Sequence, residues 1–273
     1  MLKRKHLFNP ESRRRGIYIL PSLFTTAALF SGFFAIIQAM QGNFDLAGIA
    51  IFIAMLMDGV DGRVARLTKT QSAFGAEYDS LSDMVSFGVA PALIVYAWAL
   101  SDLGRIGWLA AFIYCVGAAL RLARFNTTIA AVDKRYFQGL PSPVAAIFVV
   151  ALVWLVHDMG ITQENMRWMS WLAAFVTALA GITMISNIPF YSFKDINPKA
   201  RVPLMTAVAL ILGCVIIPSI NSAAFLLACS STYLCSGYIL ATMRLFSRKR
   251  AALKPPVQTD RTEGSPSPDT EKS

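Results

Sequence analysis

Asp58-Gly59-Val60-Asp61-Gly62-Arg63-Val64-Ala65-Arg66 and, eight residues later, Gly75-Ala76-Glu77-Tyr78-Asp79-Ser80-Leu81-Ser82-Asp83 decide how this chain is read. Both stretches lie in apolar sequence long enough to cross a bilayer as helix, over roughly 44–66 and 72–100. An aspartate at the centre of such a helix costs about 2.5–3.5 kcal/mol. Four of them, central, unpaired and facing lipid, would cost on the order of 10 kcal/mol. They must therefore face inward and be compensated.

Helical spacing supplies the inward face. Asp58, Asp61, Gly62, Ala65 and Arg66 fall at i, i+3, i+4, i+7 and i+8, one stripe of a helix. Gly75, Asp79 and Asp83 stand four apart on the next span, again one above another. Counted from Lys69, Asp61 is eight residues back and Asp79 ten forward, while Asp58 is eleven back and Asp83 fourteen forward. At about 1.5 Å per residue, both pairs sit roughly 12–21 Å from the turn, so all four carboxylates converge at similar depth. Convergent carboxylates repel unless cations neutralise them. Hard divalent ions such as Mg²⁺ or Mn²⁺ fit, because they take oxygen ligands and accept substrate phosphate as a further one. Gly62 and Gly75 remove side chains where a ligand would approach the backbone. Arg66, one turn nearer water on the acidic stripe, suits a phosphate contact.

Outward from this pair of spans the whole chain is apolar. It has 273 residues, 55% hydrophobic and 15% charged, where a soluble domain has about 45–50% and about 25%. Eight spans are expected, near 17–40, 44–66, 72–100, 106–126, 142–158, 167–188, 202–217 and 222–246. Backbone groups in hydrocarbon must bond within the segment, so the expected fold class is all-α, a polytopic integral membrane protein. Residues 1–16 read as a basic amino-terminal segment, 17–246 as the membrane domain and 247–273, rich in Pro, Ser, Thr, Asp and Glu, as a disordered tail. The apolar run from Ile17 to Met40 is too long for a cleavable signal core.

The net charge of +9 would suggest nucleic acid in a soluble protein. Here the cations alternate by side instead. Lys3, Arg4, Lys5 and Arg13–Arg15, then Arg66 with Lys69, Lys134 with Arg135, Lys194 with Lys199 and Arg201, and finally Arg244, Arg248, Lys249, Arg250 and Lys254 share one side. Little beyond Arg105 and Arg167 faces the other. The positive-inside rule then puts both termini and the acidic site toward the cytoplasm, in the inner membrane if the cell is bacterial, and no nucleic-acid partner is expected. Cys115, Cys214, Cys229 and Cys235 lie in apolar stretches without a paired motif and read as small buried hydrophobes. His6 and His157 are too far apart to build a site together.

The pattern Asp58-x2-Asp61-Gly62-x2-Ala65-Arg66-x8-Gly75-x3-Asp79-x3-Asp83 resembles the full signature of the CDP-alcohol phosphatidyltransferases, eight fixed positions over 26 residues. The resemblance implies a six-helix core, two divalent cations, and transfer of a phospho-alcohol group from a CDP-linked donor with release of CMP. It makes Asp58, Asp61 and Asp79 metal ligands and Asp83 both ligand and general base. It lines the CDP site with Gly62, Ala65, Arg66, Ser72 and Gly75. Outside the signature the chain resembles the phosphatidylserine synthase branch. The matching features are Pro21, Arg121-Leu-Ala-Arg124-Phe125-Asn126, Phe137-Gln-Gly139-Leu-Pro141-Ser-Pro143 and Asn187-Ile-Pro189-Phe190-Tyr191-Ser192-Phe193-Lys194. One departure is Pro21-Ser22, where the family often has Pro-Asn.

That branch implies CDP-diacylglycerol and L-serine as substrates, membrane lipid as surroundings, and room for a homodimer. Arg121 and Arg124, at i and i+3, are expected to hold the serine carboxylate in a forked contact; as cations at a helix end they also suit simple anchoring. Lys134 and Arg135 read equally as a lid or serine-binding element and as a positive-inside loop. Two rivals remain. The same chemistry with glycerol phosphate, inositol phosphate or choline would want more cations at the site. A cation transporter would show inverted repeats and broken helices, which the sequence lacks.

Overall fold

In a computed structural model of the chain, residues 10–68, 70, 72–128, 136–160, 163–191 and 222–243 are described. They form seven helices: α1 (Pro10–Met40), α2 (Phe44–Thr68), α3 (Ala73–Leu103), α4 (Arg105–Thr128), α5 (Ser142–Asp158), α6 (Gln163–Ile185) and α7 (Ser222–Met243). Strands β1 (Tyr136–Gln138) and β2 (Pro189–Tyr191) pair antiparallel, with Phe137 opposite Phe190. The chain is an all-α membrane protein that carries this short β pair among its described residues, an element not expected from sequence. The expected span at 202–217, Lys134, Arg135, Cys214 and the tail lie outside the described residues.

Among the described residues, five helices are long and apolar enough to cross a membrane by themselves: Pro21–Met40, Ala73–Leu103, Arg105–Thr127, Arg167–Ile185 and Ser222–Met243. α5 is apolar but only 17 residues long. α2 has the length, 25 residues, but its acids and arginines dilute its apolar character. Large apolar side chains such as Phe30, Phe33, Ile53, Phe112, Trp168 and Phe175 are exposed around the bundle, as contact with lipid requires. Lipid also accounts for a correction. Cys229 and Cys235 are exposed, not buried, because in hydrocarbon a small apolar side chain need not hide inside protein. α1 begins before the expected start: Pro10 opens it, a first-turn position proline favours, and the helix runs through Arg13–Arg15.

Small residues set the packing. Ala35 and Ala39 of α1 and Ala47, Ala50 and Ala54 of α2 are all buried, and the two helices run close along their length. α1 packs against α3 as well. Ser82 and Ser86, one turn apart, donate to the α1 carbonyls of Thr25 (3.1 Å) and Ala28 (3.1 Å). Between α2 and the first turns of α3 direct packing is slight. The two acid-bearing helices are held by α1 with a cleft between them.

α3 is not uniform. Its regular turns end at Asp83, and Met84–Val89 form wider turns in which the Ala90 N–H reaches back to the Val85 carbonyl. Pro91 explains part of this, since it has no N–H to offer the Phe87 carbonyl four residues earlier. That carbonyl accepts from the buried Tyr114 hydroxyl of α4 instead, at 3.0 Å. Wide turns of this kind often mark a functional site.

Candidate active site

On α2 the buried face formed by Ala47, Ala50, Ile51 and Ala54 continues into the acids: Asp61 is buried and Asp58 half-buried. Asp79 and Asp83 are half-buried on the facing side of α3, with Ser82 between them turned to α1. One carboxylate oxygen from each of Asp58, Asp61 and Asp79 lies within 4.8 Å of the others. The four acids meet as two facing pairs: Asp61 is in hydrogen-bonding contact with Asp79, and Asp58 with Asp83. These are the pairs the residue count from the turn matches in depth.

Facing carboxylates are stable only with a shared proton or a cation between them. Three donor atoms at this spacing, all hard oxygen, fit a divalent ion. Asp79 supplies a further sign, because its Oδ1 is buried without a hydrogen-bond partner among the described residues. A buried carboxylate oxygen left bare is costly unless something absent from the polypeptide meets it. Asp61 is steadied from α1, where the Thr25 hydroxyl donates to its Oδ2 at 2.8 Å. Nothing in the sequence points to Thr25 beyond a hydroxyl one turn after Pro21.

The residues expected to line a nucleotide site follow the acids along α2 and stand at the start of α3. A methyl group at Gly62 would meet only the Arg66 guanidinium, at 3.7 Å, so the backbone there is open to an approaching ligand. Arg66 is exposed and Ala65 half-buried beside it. Ser72 acts locally, since its hydroxyl accepts from the Gly75 N–H at 3.0 Å and caps α3. Glu77 and Arg63 are exposed.

The two arginines of α4 part ways. Arg121 turns inward, interacts electrostatically with Asp83 and Asp58, and donates from one terminal nitrogen to the buried Ser142 hydroxyl at 2.8 Å. Its Nε is buried with no partner among the described residues. Arg124 instead donates to the Ile185 carbonyl (3.1 Å) and to Asn187 Oδ1 (3.0 Å), closing the end of α6. The forked pair expected from their spacing is therefore divided between the site and a helix terminus.

Arg124, Asn187, Phe137, Gly139 and Phe190 belong to one structural unit. Gly139, at φ +81°, donates to the Ile188 carbonyl at 3.0 Å. A Cβ there would collide with the Met184 carbonyl. The β pair is thereby pressed onto the end of α6, and Leu140 is fully buried beneath it. These segments lie some fifty residues apart in the sequence, which carries no sign that they pair.

The description CDP-alcohol phosphatidyltransferase matches residues 18–180, more than half of the chain. Relatives named CDP-diacylglycerol–serine O-phosphatidyltransferase are similar over most of it. The one from Helicobacter pylori is 37% identical over 194 residues, covering 71% of this chain and 81% of that one. The one from Mycobacterium tuberculosis is 35% identical over 206 residues, covering 72% and 71%. The one from Saccharomyces cerevisiae is 40% identical over 152 residues, covering 50% and 53%.

Proposed function

The chain belongs to the CDP-alcohol phosphatidyltransferase family, and on that premise we propose that it transfers the phosphatidyl group from CDP-diacylglycerol to L-serine, giving phosphatidylserine and CMP. The observation that carries the chemistry is the convergence of Asp58, Asp61 and Asp79 within 4.8 Å in a membrane-embedded cleft. The choice of serine is supported by relatives of that name in bacteria and yeast.

Asp58, Asp61 and Asp79 would hold the metal, with Asp83 as the fourth ligand of a two-ion site, Mg²⁺ or Mn²⁺. When bound, the ions supply charge neutralisation at the pyrophosphate and at departing CMP. The protein does the rest. Two acyl chains of the donor lie in the bilayer while Gly62, Ala65, Arg66, Ser72 and Gly75 receive the nucleotide end at the mouth of the cleft. Thr25 holds the Asp61 carboxylate in its orientation. Asp83 is in contact with Asp58 and near the Arg121 guanidinium. It takes the proton from the serine hydroxyl as that oxygen attacks the phosphorus bearing diacylglycerol. Arg121 receives the serine carboxylate, with its unpartnered Nε available as a donor.

A product assay with purified protein, CDP-diacylglycerol and a panel of serine, glycerol phosphate, inositol phosphate and choline tests this. Phosphatidylserine is the expected product. Preference for a phosphorylated acceptor would sink the serine assignment and leave the family chemistry standing. The Lys and Arg asymmetry further supports an active site facing the cytoplasm, with residues 1–16 and the tail on the same side. Single cysteines at Gln163 and Thr259, in a cysteine-free background, should label from opposite faces. Same-side labelling would make the span count wrong by one.

A further inference from the structure

We propose, resting on the serine-transfer reading above, that Ser142 is a positioning residue for Arg121 and sets the plane in which its guanidinium receives the serine carboxylate.

Ser142 opens α5 and is fully buried. A serine at the start of a helix usually turns its hydroxyl to the backbone N–H groups of the first turn. Here the cap position is Pro141, which makes no side-chain bond, and the Ser142 hydroxyl reaches another helix. It accepts from Nη1 of Arg121 on α4 at 2.8 Å.

The turn that delivers this hydroxyl is tied down on both sides. Gly139, at φ +81°, donates to the Ile188 carbonyl at 3.0 Å, and the buried Leu140 donates to the Thr183 carbonyl at 3.2 Å. Both bonds fasten the turn to the end of α6. Pro141 and Pro143 fix φ on either side of Ser142, and the Ala145 N–H closes the first turn on the Pro141 carbonyl at 3.0 Å. Arg121 thus meets a hydroxyl whose place is set from outside its own helix.

A planar guanidinium receives a carboxylate in a fork, so its orientation matters as much as its charge. With Nη1 held by Ser142, the Nε side of the group remains for a ligand. Nε is buried with no partner among the described residues. A buried N–H without an acceptor is costly, and the carboxylate of the incoming alcohol supplies one. On this account Gly139-Leu140-Pro141-Ser142-Pro143 serves the acceptor side by holding one hydroxyl against one arginine.

The test uses the full-length chain in CDP-diacylglycerol vesicles with serine varied. Ser142→Ala should raise the apparent KM for serine about 3- to 10-fold, the scale of one hydrogen bond to a charged group. Its kcat and donor KM should stay within about twofold. Ser142→Cys keeps nearly the same shape with a weak acceptor, should shift the serine KM in the same direction, and serves if Ser142→Ala does not fold. Ser186→Ala is the structural control, since its hydroxyl bonds only within the end of α6, to the Thr183 carbonyl and the Ile188 N–H. It should lower the melting temperature and leave the serine KM within about twofold. A serine KM unchanged in the folded Ser142 variants, a donor KM that rises as much, or an equal serine effect from Ser186→Ala would overturn the proposal. A wild-type enzyme that forms no phosphatidylserine fails before any variant is made, and that result strikes the underlying reading instead.

Discussion

The acid cleft takes its four carboxylates from 26 consecutive residues on two adjoining helices, Asp58 to Asp83, whereas the arginine facing it takes its place from two separate ones, Arg121 on α4 and its partner Ser142 on α5. The first is held by local periodicity: side chains three or four residues apart share a helix face whatever the rest of the chain does. The second exists only once α4 and α5 have docked. Chemistry common to a family can sit in the first kind of construction, because loops and outer helices can change around it. On the serine-transfer proposal, the part that meets the alcohol sits in the second, where a single arginine takes its partner from another helix.

The comparison breaks most visibly on the acid side. Asp58→Ala or Asp79→Ala removes a ligand charge, and loss of several kcal/mol of electrostatic stabilisation lowers turnover by roughly a thousandfold or more. Divalent-ion binding, followed by calorimetry, should disappear with it. Retained ion binding in either variant would mean that the trio is not the metal site. A smaller effect sharpens the cationic side. Arg121→Lys keeps the charge and loses the fork, and should raise the serine KM roughly 10- to 150-fold, the cost of a charge-assisted hydrogen bond of about 1.5–3 kcal/mol. Arg124→Lys should instead act mainly on stability, by about 1–2 kcal/mol, since its bonds go to Ile185 and Asn187. Steady-state kinetics and thermal unfolding separate the two. A larger serine effect from Arg124→Lys than from Arg121→Lys would restore the forked pair that their spacing suggests.

The same contrast explains which features are legible in the sequence. Spans, inward stripe and matched depth of the acids follow from a 3.6-residue period and a short turn, and the observed pairs Asp61 with Asp79 and Asp58 with Asp83 repeat the residue count. The wide turns after Asp83 are less open, although Pro91 announces a carbonyl in need of another donor. Thr25 and Ser142 are not legible, because a lone hydroxyl in an apolar span looks the same whether it bonds its own helix or reaches a neighbour. Nor does the sequence show that Phe137 and Phe190 meet, since their pairing depends on Gly139 seating against the end of α6.

The division of labour within the acid cleft is the central claim, and one paired measurement addresses it directly. CDP-diacylglycerol binding and serine-dependent CMP release are measured side by side for Asp79→Ala and Asp83→Asn. Asp79→Ala should lose both, because it removes a charge that holds the ions. Asp83→Asn should keep appreciable donor binding and lose release, because the amide still offers an oxygen but takes no proton. Near-normal CMP release from Asp83→Asn would contradict the account, since the proton of the serine hydroxyl would then be leaving by another route.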